Sequence, residues 1–336
     1  MRLDGPIGAA GLVRVFLLAL LPAGPVTAQS LSIRSIASPS PALGTVVSAN
    51  SGATLFRVAA NSGMVTRISG TGVRVSGSST RPLVTLACGS DSLCDTSDVA
   101  VTVTSIGAPT GRAGALANFT IDPLTAQVTT EPTGTDPVRF VIAPIGTNGT
   151  RTFYIGADFP ILGDDSAMAT GPASAAFQVT VQFSAGGSAD TAVGQAIATV
   201  LRPIAVATTT GLAFGTIVPP TSGTAAVTID AATGARSVVG TGARGIGTGA
   251  HQAGYSVSGE GGQAFSVLVP SEMVMTGSGD SITVALTTTA AGAQSLSGSL
   301  GQGGTASFGV GGSFALGSDK ALGAYSGSFV VTVQYQ

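Results

Sequence analysis

A few short stretches of this 336-residue chain carry residue types that chemistry uses. GTGARGIG (240–247) spaces Gly240, Gly242 and Gly245 as G-x-G-x-x-G, the pattern that lets a backbone approach a pyrophosphate. That chemistry needs the glycines between a parallel strand and a helix N-terminus. No helical pattern follows, and the related GTGVRV (70–75) has Val75 in place of the third glycine. The reading is a glycine-rich turn between strands. GSGDSI (277–282) matches one fragment of a calcium-binding nonapeptide, but such repeats work as stacked series. Asp164 and Asp165 are adjacent, and neighbouring carboxylates on a strand face opposite ways, which makes a poor acid–base pair. Serine nucleophiles need a base, and the single histidine, His251, sits in the turn-like GTGAHQAG. Glu260 and Glu272 have no partner by spacing. Asn118-Phe119-Thr120 and Asn148-Gly149-Thr150 fit the glycosylation pattern. The sequence therefore assigns no catalytic, cofactor-binding or metal-ligating residue, and the chain reads as a non-enzyme.

Cys88 and Cys94 bracket CGSDSLC, whose Gly, Ser and Asp let the loop fold back. In an exported chain this reads as a small-loop disulfide, with about 2 kcal/mol from loop closure.

The elements that position these residues are strands. Glycine is 49 of 336 residues, twice the usual share of roughly 7%, and charged residues are 9% against roughly 25%. Val and Thr favour the pleated sheet, and Gly and Ser mark turns. With 14 Lys plus Arg and a net charge of −2, the chain lacks the basic face that nucleic acid demands. Residues 1–28 read as an export signal. Arg2 and Arg14 precede the apolar run 15–21, Pro22 and Gly24 break it, and Val26-Thr27-Ala28 supplies small residues for cleavage. A short membrane anchor is the competing reading, but the run is far shorter than a span of roughly 20 residues. No later stretch is apolar and long enough to form a stable span in the mature chain. The expected location is the periplasm, the cell surface or outside the cell.

Internal duplication organises the rest. LGTVVSANSGATLFRVAANSG (43–63) returns as FGTIVPPTSGTAAVTIDAATG (214–234), with Gly44, Thr45, Ser51, Gly52 and Gly63 recurring as Gly215, Thr216, Ser222, Gly223 and Gly234. Phe153, Ile155, Gly156 and Phe159 return as Phe308, Val310, Gly311 and Phe314. Phe177, Val179, Thr180, Val181, Gln182 and Phe183 return as Phe329, Val331, Thr332, Val333, Gln334 and Tyr335. Apolar residues alternate with polar ones at a period of two, as in Phe56/Val58, Val227/Ile229 and Ile282/Val284/Leu286. Short strands between Gly or Pro turns predict two tandem immunoglobulin-like, pilin-like antiparallel β-sandwich domains. SAGGSADTAVGQ (184–195) reads as the connection, so the expected domains are 29–189 and 190–336, with 196–206 opening the second.

The second half, roughly 190–336, resembles the bacterial domain-of-unknown-function family 4402. The likeness rests on Ile204–Ile217, Tyr255 through Pro270, Phe308–Phe314 and Gly323–Tyr335. The first half resembles a diverged copy, with Pro172-Ala173-Ser174 in place of Tyr325-Ser326-Gly327 and with the cysteine loop added. No catalytic residues come with that family. The ending, Val331–Gln336, is also similar to subunits of chaperone–usher pili and to spore-coat-U-like proteins. That likeness implies a sandwich short of its last strand, open along Phe329, Val331, Val333 and Tyr335, to which a neighbour adds an extended strand. Four inserted aliphatic side chains would contribute roughly 6–12 kcal/mol, comparable with a whole domain's stability of about 5–15 kcal/mol. The implied partners are a periplasmic chaperone, an usher and other pilus subunits. The first domain could be completed by Ala196, Ile197, Thr199 and Val200 of its own chain. Residues 29–42 are interrupted by Pro39 and Pro41 and make a poor donor, so a tip or adhesive subunit is expected. Two other readings are a self-contained surface module that binds a glycan or protein through loops such as 88–94, and a secreted hydrolase.

Overall fold

The computed structural model describes residues 30–37, 41–277 and 279–336. The expected leader, 1–28, and Pro39 lie outside them. The first half runs β1 (Leu31–Ile36), β2 (Ala42–Val47), β3 (Thr54–Val58), β4 (Val65–Ser69), β5 (Val73–Ser76), β6 (Leu83–Cys88), β7 (Val99–Thr110), β8 (Ala117–Asp122), β9 (Val128–Thr133), β10 (Val138–Ile142), β11 (Thr150–Ile161), β12 (Gly171–Phe183) and β13 (Asp190–Leu201). One helical turn, α1 (Leu93–Thr96), lies in the cysteine loop. The second half continues with β14 (Ala205–Thr210), β15 (Thr216–Val218), β16 (Thr224–Ile229), β17 (Arg236–Val239), β18 (Arg244–Ile246), β19 (Ala253–Glu260), β20 (Ala264–Leu268), β21 (Glu272–Gly277), β22 (Asp280–Thr288), β23 (Gln294–Ser295), β24 (Gly303–Gly317) and β25 (Thr332–Tyr335).

The repeated sequence folds as repeated topology. One sheet of the first half has the order β1-β6-β11-β3-β4, with β8 also on β11. The matching sheet of the second half has the order β14-β19-β24-β16-β17, with β22 also on β24. The recurring glycines explain why the turns coincide. Gly44, Gly52 and Gly63 have φ of 74°, 71° and 70°, and Gly215, Gly223 and Gly234 have 70°, 66° and 70°. That left-handed region is open to glycine and costly for other residues.

The opposing sheets differ. In the first half it is continuous, β5-β2-β13-β12-β7-β10-β9. In the second half it is in two pieces, β15-β18 and β23-β20-β25. Those pieces correspond to β2-β5 and to β10-β7-β12. What is missing between them, among the described residues, is a counterpart of β13.

The expected boundary needs correcting here. Asp190–Leu201 pairs antiparallel with β12 from Gly171↔Val200 to Val181↔Asp190, and parallel with β2. The SAGGSAD stretch is therefore the turn of a hairpin, with Gly186 and Gly187 at φ 105° and 111°. Ala196–Leu201 closes the first half rather than opening the second. The sheets change over at Arg202–Ile204.

The cores follow the sheets. The first half holds one continuous apolar cluster, in which Phe153, Ile155, Phe159, Phe177, Val179 and Val181 are fully buried. The second half holds two smaller clusters. Leu212, Leu286 and Phe329 are partly buried against both.

Candidate functional site

The residues considered for chemistry are placed separately. Gly240 and Gly242 belong to the turn between β17 and β18, and no helix follows Gly245. Asp280 lies at the β21–β22 hairpin and accepts a 2.8 Å bond from Lys320 Nζ, which holds its carboxyl below the ordinary range. Asp164 and Asp165 lie in a 3-10 turn rather than on a strand. Asp164 pairs at 2.6 Å with Arg112, whose guanidinium is buried and also donates to Ser48 Oγ and the Met168 carbonyl. Asp165 accepts from the Gly52 amide. This is structural anchoring that spacing could not reveal. His251 is exposed and bridges Ala213 through its backbone. Asn148 is exposed, whereas Asn118 donates to the buried Asp158, which also pairs with Arg57. Glu272 is exposed. Cys88 and Cys94 are joined, Cys94 is fully buried on α1, and Asp95 beside it accepts the Thr147 amide at 2.7 Å.

What the fold does bring together is the row Phe329, Val331, Val333 and Tyr335. All four point inward, and all four remain half-buried. Phe329 meets Tyr255 edge-on at 6.5 Å. β25 pairs on one side with β20, in register Phe265↔Tyr335 to Leu268↔Thr332. The Gln336 amide donates to the Ala264 carbonyl at 3.1 Å. Alternation along an antiparallel ladder then turns the N–H and C=O groups of Val331, Val333 and Tyr335 toward the other edge. Among the described residues no strand pairs with that edge. The far bank of the gap is β15, paired only with β18. Beside β15 lies a cleft of about 590 Å³ lined by Phe214, Ile217, Met275, Phe314, Leu316 and Tyr325.

The row ends in a polar clasp. The Tyr335 hydroxyl donates to the Arg202 carbonyl at 3.0 Å and accepts the Glu260 amide at 2.6 Å. Burial is the main cause that pushes this phenol above its ordinary pKa. Glu260 is fully buried. It accepts the backbone amides of Arg202 and Gly301, and its Oε2 lies 3.5 Å from Arg202 Nε. This cluster sits where the halves meet, with Gly301 beside Thr170 and Gly171.

Residues 204–335 match a family model described as Domain of unknown function (DUF4402). The match spans β14 to β25, the half that contains the open gap. No curated protein matches. Three solved structures align with most of the chain. The first, a chaperone–tip adhesin complex of CFA/I fimbriae biogenesis, has 8% identity and covers 76% of this chain and 91% of that one, with a TM-score of 0.24. The CsuC–CsuE chaperone–tip adhesion subunit pre-assembly complex from archaic chaperone–usher Csu pili of Acinetobacter baumannii has 11% identity, 91% and 100% coverage, and a TM-score of 0.25. A mutant of the CFA/I adhesin CfaE from enterotoxigenic E. coli has 9% identity, 88% and 92% coverage, and a TM-score of 0.24. Among the described residues no helix is long and apolar enough to cross a membrane, and no group of three or more His, Cys, Asp or Glu is placed to hold a metal ion.

Proposed function

We propose that this protein is an exported, non-catalytic surface protein of the pilus-subunit type, and that its second half takes up an extended strand between β15 and β25. One observation supports this above the others. Among the described residues, the strands β5-β2 and β12-β7-β10 of the first half have counterparts in the second, β18-β15 and β25-β20-β23, and the β13 position between them has none. A first half closed by its own β13 and a second half left open suit a subunit at the end of an assembly. The inward row and the outward-turned amides of β25 would have to be covered before assembly, which is work for a periplasmic chaperone. The strand supplies main-chain hydrogen bonds for affinity and alternate side chains for fit.

Hydrogen exchange on the full chain tests the reading. The amides of Val331, Val333 and Tyr335 should exchange at rates near those of free peptide. Those of Val179 and Val181, buried in the middle of a sheet, should be strongly protected. Equal protection of both sets in a monomer would refute it. Recovery of the chain in the cytoplasmic fraction would refute export.

A further inference from the structure

We infer that the β15–β18 ribbon is a strap along the cleft beside it, that Arg236 is the latch that holds it, and that releasing this latch opens the cleft. The device is independent of whether the second half takes up a strand. The ribbon is short, with three residues paired to three, Thr216↔Ile246 to Val218↔Arg244. In the first half the matching strand β2 is paired on both edges, with β5 and with β13. β15 has only β18. A few bonds tie the ends. Ala213 and His251 exchange backbone bonds of 2.9 and 2.8 Å, and the Thr221 amide donates to the Thr241 carbonyl at 3.0 Å. Gly215 and Gly247 flank the ribbon at one end with φ of 70° and 69°, backbone that absorbs a change of angle at low cost.

One guanidinium fastens this ribbon to the main sheet. Arg236, at the start of β17, donates from Nη1 to the Phe214 and Thr216 carbonyls at 3.0 and 3.2 Å, and from Nη2 to the Gly247 carbonyl at 3.1 Å. Phe214 and Thr216 belong to one side of the ribbon and Gly247 to the other, so a single planar fork holds both. The ribbon is shaped to admit it. A Cβ on Gly245 would fall on Arg236 Cζ, and a Cβ on Gly215 would lie 2.6 Å from its Nη1. The third glycine of GTGARGIG is thus the seat of an arginine rather than of a phosphate.

The first half satisfies the same carbonyls differently. Arg74, on β5 itself, donates to the carbonyls of Leu43 and Gly77, the matches of Phe214 and Gly247. The registers Val58↔Val65 and Ile229↔Arg236 place Val65 where the second half has Arg236, and Val75 stands where it has Gly245. Arg244 is the match of Arg74. It is exposed and has no hydrogen-bond partner among the described residues. An arginine on the ribbon ties its two strands to each other, whereas an arginine on the sheet ties the ribbon to the sheet. The second half has exchanged the first arrangement for the second, and it is the half with a cleft to cover. Phe214, Thr216 and Ile217 form the ribbon side of that cleft, with Met275, Phe314 and Leu316 among the other residues that line it.

Hydrogen exchange and dye binding on the full chain test the latch. Arg236→Ala should speed exchange of the 216–218 and 244–246 amides by at least about tenfold, as bonds to a charged donor are lost, and leave Val257 and Phe308 slow. Arg236→Lys keeps the charge without the fork and should move exchange the same way by less. The apolar dye anilinonaphthalene sulfonate should give brighter, blue-shifted emission with the Arg236→Ala chain than with the natural chain. Arg236→Val with Gly245→Val recreates the first-half residues. Arg244 should then take the Phe214 and Gly247 carbonyls and slow ribbon exchange again, while dye emission stays high because the ribbon is no longer fastened to the sheet. Adding Arg244→Ala should remove that slowing. Unchanged ribbon exchange in Arg236→Ala and Arg236→Lys, or equal acceleration through the whole second half, would overturn the latch. Faster ribbon exchange with unchanged dye emission would overturn its hold on the cleft. No slowing in the double variant would overturn the match between Arg244 and Arg74.

Discussion

Strands β12 and β25 carry almost the same inward residues and have different fates. Phe177, Val179 and Val181 are fully buried. Phe329, Val331 and Val333 are half-exposed. The side chains are near copies, the sheets behind them have the same strand order, and the difference is β13. A single strand of small residues converts two apolar clusters into one. Burial here is a property of the neighbour on the edge, not of the residue in the row.

Truncating the matched phenylalanines should break the comparison most plainly. Phe177→Ala should destabilise the first half by about 3–5 kcal/mol. Phe329→Ala should cost the second half only about 1–2 kcal/mol, because less contact is lost. Denaturant unfolding followed separately in each half by exchange or proteolysis checks this, and equal losses would contradict it. Next in size is completion. A copy of Asp190–Leu201 tethered after Gln336 by a flexible linker should stabilise the second half by roughly 2–4 kcal/mol, as three half-buried side chains become covered. The first half should be unchanged, as its own melting transition would show. Cys88→Ser should lower the first half alone by about 2 kcal/mol, from the loop-closure entropy of a short ring. A calorimetric scan in which the second transition also moves would count against separate halves.

Tyr335→Phe should have the smallest effect, about 1–2 kcal/mol for the two hydrogen bonds lost at the Arg202 carbonyl and the Glu260 amide. It also carries a pH signature. The folded chain holds the phenolic proton more tightly than the unfolded chain does. This contribution is therefore fully present below the ordinary phenol pKa of about 10 and is lost as pH rises through the folded value. The Tyr335→Phe chain should show a smaller alkaline loss in a pH series of melts.

Much of this architecture is legible in the residues. The recurring glycines mark turns that recur in space, and the FVVTVQY echo of FQVTVQF marks the matched strands. β13 is legible only at its end, where Ala196, Ile197, Thr199 and Val200 read as able to complete the first half; its earlier inward positions are glycine and alanine and give no apolar alternation. The same smallness that lets it sit against Phe177 makes it read as a linker, which is why the expected boundary fell in the middle of a hairpin. The Arg202–Glu260 pair and the Arg112–Asp164 pair are also hidden, since residues 58 and 52 positions apart meet only after folding.

The Tyr335 clasp gives the molecule a load path. Under the proposed strand addition, a tug on a guest segment beside β25 would be resisted in shear by the whole ladder at once. At the final rung, the tyrosine hydroxyl hands part of that force to Arg202, the residue that links the halves.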